Sequence, residues 1–197
     1  TKFLRDCGHL HFDEPFTKMR HQGMILGPDG KKMSKSKGNV INPDEIIAKF
    51  GADTLRVYEM FMGPLDADKP WDVRAVIGIY KFLQKIHKLV IQVELPEATG
   101  KELQRLEQKL HQTIQRVTQD IPQLKFNTAI AGLMEFANLW QEVVLQQKQT
   151  IGIDQRRIVS KLLAPFAPFL AEELYAFCEG SLDKVGAEKE YSGVHCA

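Results

Sequence analysis

Gly30-Lys31-Lys32-Met33-Ser34-Lys35-Ser36-Lys37-Gly38-Asn39 puts four lysines and two hydroxyls into ten residues of glycine-flanked chain. Just before it, Gly23-Met24-Ile25-Leu26 is an apolar run closed by Gly27-Pro28-Asp29-Gly30, a pattern that predicts a buried strand ending in a turn. Just after it, Asn42 is placed to cap a helix whose first position suits Pro43. Strand, basic loop and capped helix therefore follow in that order. Ammonium groups on flexible stems act as point charges that can follow a polyphosphate as its charge redistributes, whereas arginine would impose a planar, bidentate geometry. Hydroxyls and loop amides add neutral donors, and phosphate chemistry is mostly positioning plus electrostatic stabilisation. The competing reading is a solvated basic turn anchored only by Met33.

Working outward, Gly51 stops the helix after the loop, and Asp53 is placed to cap a second short one, Thr54 to Met62, ended by Gly63-Pro64. From Asp72 onward the pattern is helical almost throughout. On a helix starting near Asp72, Arg74, Lys81, Lys85 and Lys88 share one narrow face, while Val76, Ile79, Tyr80, Leu83, Ile86 and Val90 fall opposite. That geometry predicts one buried side and one basic strip able to track a phosphate backbone. Leu103, Leu106, Leu110, Ile114, Val117 and Ile121 recur in steps of three or four and form the apolar stripe of a core-facing helix. Asn127 is expected to cap a third long helix. A fourth is expected over 158–177, interrupted by Pro165 and Pro168.

The 197 residues are 44% hydrophobic and 26% charged, which excludes disorder and collagen-like repeats. No run approaches the roughly 18 unbroken apolar residues of a membrane span. Lys+Arg 26 against Asp+Glu 25 leaves a net charge of +1, so a nucleic acid would have to be held by local patches. Cys7, Cys178 and Cys196 are an odd, widely spaced set with no C-x-x-C pair, pointing to a reducing, cytoplasmic compartment. Cys7, His9 and His11 lie close in sequence but lack the spacing of a structural zinc site, so no metal is expected. The chain begins without methionine and ends at Cys196-Ala197 with no closing element, which reads as a piece of something longer.

Lys32-Met33-Ser34-Lys35-Ser36 matches the KMSKS signature of class I aminoacyl-tRNA synthetases without a substitution. Phe50-Gly51-Ala52-Asp53-Thr54-Leu55-Arg56 is shared by several members of that class. His21-Gln22-Gly23-Met24-Ile25-Leu26, Tyr58 to Leu65, Lys69-Pro70-Trp71, Phe126 to Ile130 and Pro165-Phe166-Ala167-Pro168 resemble the bacterial leucyl enzymes in particular. The resemblance implies a mainly α fold: an anticodon-binding-type helical bundle over 71–190, preceded by a remnant of the α/β Rossmann catalytic domain. That remnant would comprise 1–30, with the KMSKS loop and stem-contact helices over 31–70 and a connection to a further domain beginning at 191–197.

It implies that Lys32 and Lys35 contact ATP phosphates, Lys35 stabilising charge on the departing pyrophosphate, with Met33, Ser34 and Ser36 shaping the site. Met24, ending the strand before the loop, would lie near the adenine. The reaction implied is attack by the leucine carboxylate on the α-phosphate of Mg-ATP, then transfer to leucine tRNA. Arg74, Lys81, Lys85 and Lys88 would contact that tRNA, and the protein would act as a monomer. The HIGH motif and amino-acid pocket of the family are not among these residues, since His9-Leu10-His11 is not that motif, so this chain alone should be inactive. Alternatives are a methionyl, valyl or isoleucyl enzyme, or a non-enzymatic tRNA-binding module.

Weaker signals have plainer readings. Trp71 and Trp140 are expected in the core or at a seam. His87 and His111 are expected on partly polar helix surfaces. Arg56 either supports the junction between loop and bundle or pairs with Asp53 or Glu59.

Overall fold

The computed structural model describes residues 1–92 and 94–181; the connection expected at 191–197 lies outside the described residues. A short exposed helix, α1 (Lys2–Asp6), is followed by irregular, mostly exposed chain to the first strand. That strand, β1, is only Ile25–Leu26 and is half-buried, where a longer buried strand was expected. Its one strand partner among the described residues, β2 (Lys69–Pro70), gives a two-residue parallel ladder, too short to cover the run from Gly23.

Parallel strands need a crossover, and here it carries the basic loop with α2 (Pro43–Phe50) and α3 (Ala52–Phe61). Asn42 Oδ1 accepts the Asp44 N–H at 3.1 Å, the cap the sequence predicts. This unit is the α/β part of the chain.

The rest of the described chain is mainly helical: α4 (Val73–Ile91), α5 (Gly100–Asp120), α6 (Phe126–Gln147), α7 (Ile153–Leu163) and α8 (Pro168–Cys178). α5 packs along α6 and α7 against α8, while α3 sits in the seam against α4, α6 and α8. Leu106, Leu110 and Val117 of the α5 stripe are buried. Tyr58 of α3 packs edge-on to Trp71 with centroids 4.8 Å apart, and its hydroxyl accepts the Asp72 N–H at 2.8 Å. The loop-bearing segment thereby shares the core of the bundle. Trp71 and Trp140 are both buried, as expected.

Three expectations about helix ends are corrected. The single helix expected over 158–177 is two, because Pro165 falls in the intervening turn and Pro168 opens α8 at its first turn. α6 begins at Phe126 with Lys125 at the cap position, so Asn127 lies inside the helix. No side chain caps α6; the single proton of the Thr128 hydroxyl lies within reach of both the Asp120 carboxylate and the Lys125 carbonyl (3.0 Å). Asp53 does not cap its own helix: it is buried, and its Oδ2 accepts the Leu170 N–H of α8 at 2.7 Å.

Two buried polar residues complete the frame. Arg156 donates from Nε to the Ile151 carbonyl (3.0 Å), from Nη1 to the Val90 carbonyl (2.7 Å) and from Nη2 to Thr150 Oγ1 (3.2 Å). It thus satisfies one carbonyl at the end of α4, that of Val90, which has no partner within the helix, and ties it to the chain just before α7. His87, expected at a partly polar surface, is buried in α4 with Nε2 3.6 Å from Glu173 Oε1.

Candidate functional site

The turn from β1 closes tightly: Gly27 N–H donates to the Lys31 carbonyl at 2.8 Å, and Leu26 pairs with Lys32 across an antiparallel bridge. The chain then runs through Met33, which packs against the core, into a 3₁₀ turn over Lys35–Lys37 closed by Gly38 in the left-handed conformation. The four lysines, Lys31, Lys32, Lys35 and Lys37, are exposed and make no ion pair among the described residues. Ser34 Oγ and Ser36 Oγ lie 2.8 Å apart. One hydroxyl therefore spends a proton on the other, leaving the second O–H to a ligand.

The residue that shapes this loop is Asn39. Its Oδ1 accepts the Ser34 N–H at 2.8 Å, and its Nδ2 donates to Asp29 Oδ1 at 3.2 Å and to the Lys32 carbonyl at 3.4 Å. Gly27 makes room for this: a Cβ there would fall 2.8 Å from Asp29 Oδ1 and 3.0 Å from Asn39 Nδ2. Asp29 also accepts the Lys31 N–H at 3.1 Å. The Asn39 amide first, then the Lys31 N–H, hold its carboxyl below the usual range, so it stays ionised at the foot of the loop. The loop is thus a small scaffold with its cations turned out, where sequence reasoning saw Met33 as its one anchor. The Asx-type spacing of Asp29, and an asparagine closing the basic run, were the available signals.

Asn39→Ala removes both the acceptor for Ser34 and the donor to Asp29. Amide hydrogen exchange at Ser34 should accelerate by about tenfold, the loss of one hydrogen bond of roughly 1–1.5 kcal/mol, with α5 amides unaffected. Because Asp29 is depressed in the folded chain, its support is present above pH 3.8 and lost as pH falls below it; exchange at Ser34 should rise on that acid side. Unchanged Ser34 exchange in Asn39→Ala would remove Asn39 from this role.

Met24 is not gathered with the loop lysines. It lines a separate cleft of about 530 Å³ with Ile25, Glu59, Met60, Lys69 and Phe126, to which no residue of 31–39 contributes. On α4, Arg74, Lys81 and Lys88 are exposed and share a face, while Lys85 is half-buried and donates to Asn138 Oδ1 of α6 at 2.7 Å. The reason is that α4 is covered on more than one side: Phe82 and Leu89, next to the basic strip, are buried along with the expected apolar face. Arg56 is exposed, and its guanidinium reaches the Pro165 carbonyl at 3.5 Å, which places it at the junction between α3 and the α7–α8 turn. No group of three or more His, Cys, Asp or Glu side chains that would hold a metal comes together among the described residues.

Residues 6–72 match the family model of class I tRNA synthetases (I, L, M and V), and residues 104–193 that of the anticodon-binding domain of tRNA ligase. A lysine-rich loop on an α/β crossover, welded through α3 to a helical bundle, is the class I tRNA synthetase arrangement. Within that class the chain belongs to the leucine–tRNA ligase family. It is 43% identical to the leucine–tRNA ligase of Bdellovibrio bacteriovorus, over 100% of this chain and 24% of that ligase. It is 44% identical to the leucine–tRNA ligase of Leptospira biflexa, over 89% of this chain and 20% of that one. Among solved structures it is similar to a leucyl enzyme of Agrobacterium radiobacter K84 in a ternary complex with tRNA and LeuAMS, with TM-score 0.76 and 32% identity over 98% of this chain and 26% of that one. The chain therefore spans about 20–24% of the length of the curated relatives it matches. No described helix is long and apolar enough to cross a membrane.

Proposed function

We propose that this chain is the part of a cytoplasmic leucine–tRNA ligase that grips ATP phosphates with its loop and docks leucine tRNA with its bundle. The observation that carries the reading is the loop: exposed ammonium groups and paired serine hydroxyls projected from a base fixed by Asn39. Lys32 and Lys35 would hold the phosphates of ATP, supplied with Mg²⁺ as substrate. Of Ser34 and Ser36, the one whose O–H is not spent on the other would donate to a phosphate oxygen, and Met33 would anchor the loop to the core. Met24 would meet the adenine at the edge of its own cleft. Residues 1–70 would serve catalysis and 71–190 tRNA, as a monomer, and activity would require the amino-acid pocket carried elsewhere in a full-length ligase.

A full-length ligase carrying this segment should charge leucine tRNA with leucine and leave methionine, valine and isoleucine uncharged on their tRNAs; charging of one of those tRNAs would replace the leucine reading with its runner-up. The tRNA assignment has its own test. Changing Lys81, Lys85 and Lys88 together to glutamine should weaken tRNA binding and make its salt dependence shallower by roughly two or three units of slope, with leucine-dependent ATP–pyrophosphate exchange untouched. Lys85, already held by Asn138, should contribute least. An unchanged slope would make this face an ordinary solvated surface.

A further inference from the structure

The α4 strip does not end at α4. Lys85 meets Asn138, and on α6 the positions Glu135, Asn138 and Glu142 are three and four residues apart, hence one outward stripe. The other side of that stripe is met by cations of α5: Lys109 Nζ lies 2.6 Å from Glu135 Oε2, Arg116 Nη1 3.1 Å from Glu135 Oε1, and Arg105 Nη1 3.1 Å from Glu142 Oε1. One outer face of the bundle therefore runs across three helices, from the lysines of α4 over α6 to the cations of α5.

Between α5 and α6 that face sinks into an open cleft of about 630 Å³. Lys109, Arg116, Lys125 and the amides of Gln112, Gln115 and Gln119 line it, with the Asp120 carboxylate at the Lys125 end and Glu135 closing one wall. Gly132 shapes it: a Cβ there would fall 2.9 Å from Arg116 Cδ, so the bare backbone lets the arginine stem lie across α6 and bring its head to Glu135. Glu135 thus holds two cations, one on each carboxylate oxygen, at a partly exposed site where such pairs contribute little to stability. Lys109 first, then Arg116, keep its carboxyl below the usual range, so it remains an anion. The Glu135 carboxylate makes with Lys109 and Arg116 the same kind of charge-assisted hydrogen bonds that a phosphate would make.

We propose that the α5–α6 cleft is a docking surface for the phosphodiester backbone of RNA, continuous with the α4 strip, in which Lys109 and Arg116 pass from Glu135 to an RNA phosphate. This rests on the reading of the bundle as a tRNA-docking body. Of the two carboxylates at the cleft, Asp120 accepts from the Thr128 hydroxyl and Glu135 holds the two cations, so Glu135 is the one that competes with an incoming phosphate, and removing its charge should favour RNA.

The test measures binding of a leucine tRNA transcript to a full-length ligase carrying this segment, across a salt titration. Glu135→Gln should bind several-fold tighter at low salt. Glu172→Gln on α8, the same charge change on a helix that contributes nothing to the cleft, should change binding little. Lys109→Gln with Arg116→Gln should bind more weakly, with a salt slope shallower by roughly one to two units. Thermal melts check that each variant is folded. If Glu135→Gln binds no tighter than Glu172→Gln, or the Lys109/Arg116 double variant keeps the wild-type slope, the cleft is a structural ion cluster and the proposal is overturned. The α4 triple variant separates the two readings: a slope lost there and kept in the double variant leaves α4 docking standing and removes the cleft, whereas slopes kept in both remove both.

Discussion

Lys35→Ala in a full-length ligase carrying this segment is expected to slow leucine-dependent ATP–pyrophosphate exchange by about 10²-fold or more. Lys35 opens the 3₁₀ turn, is exposed, and makes no ion pair among the described residues, so its ammonium is available to a ligand. Its backbone carbonyl accepts the Gly38 N–H at 3.2 Å, which fixes the root of the side chain while leaving its four-carbon stem free to follow charge. The negative charge on the bridging oxygen and the departing pyrophosphate grows between ground and transition state, so a cation aimed there lowers the barrier more than it tightens binding. Removing one such donor costs roughly 2.7–4 kcal/mol, the 10²–10³-fold range. Leucine affinity should hardly move, because the lost interaction is with the nucleotide. Lys35→Arg should recover part of the rate, since the charge is kept and the point-like geometry is not. Exchange within about threefold of wild type in Lys35→Ala would remove Lys35 from the reacting phosphates. The 197-residue chain assayed alone should give no exchange above background.

What the sequence made legible, and what it did not, divides along contact range. The stripe of α5 and the two faces of α4 were readable because helical period is a local property of the chain. The KMSKS string was readable because it is five consecutive residues, with no folding needed to bring them together. β1 was overestimated because burial of an apolar run depends on how long its partner strand is, and β2 is two residues long. Asn39 was missed as the hub of the loop because its partners, Asp29, Lys32 and Ser34, are brought to it by a turn whose closure no periodicity encodes. Lys85 was placed in solvent because helical spacing says which residues share a face and not which neighbouring helix leans over it; Asn138 comes from 53 residues away. Asp53 was assigned to the helix it begins, although the helix in need of it announced itself: α8 opens Ala167-Pro168, with no side-chain acceptor at the cap.

That cap carries the second large effect. Asp53→Ala is expected to destabilise the chain by about 2–4 kcal/mol in urea unfolding. Pro168 has no N–H, so the first free amides of α8 are those of Phe169 and Leu170, and the Leu170 N–H donates to Asp53 Oδ2 at 2.7 Å. Losing an N-cap acceptor costs up to about 2 kcal/mol, and leaving a buried N–H unpaired costs about 1–3, so the two overlap rather than add in full. The contact also joins α3, and with it the loop, to the far end of the bundle, 117 residues away. Arg56 reinforces the joint from outside by reaching the Pro165 carbonyl. Asp53→Asn keeps an acceptor oxygen in the same place and should lose much less. The pH dependence identifies the charge. Desolvation dominates and raises the Asp53 pKa above 3.8, outweighing the helix amides and the Arg56 charge that lower it. The folded chain therefore holds this proton more tightly than the unfolded one, so its contribution to stability is greatest below pH 3.8 and falls as pH rises through the raised folded value. Asp53→Asn cannot titrate, so the stability of wild type relative to Asp53→Asn should increase on acidification toward pH 4. Asp29 and Glu135, whose folded values are depressed, act in the opposite sense over the same range, which is why the comparison is made against Asp53→Asn in one background. A loss below 1 kcal/mol in Asp53→Ala would show that α8 does not depend on this side chain, and a wild-type advantage that shrinks as pH falls would show that the helix amides outweigh desolvation and that the ionised form is the one α8 uses.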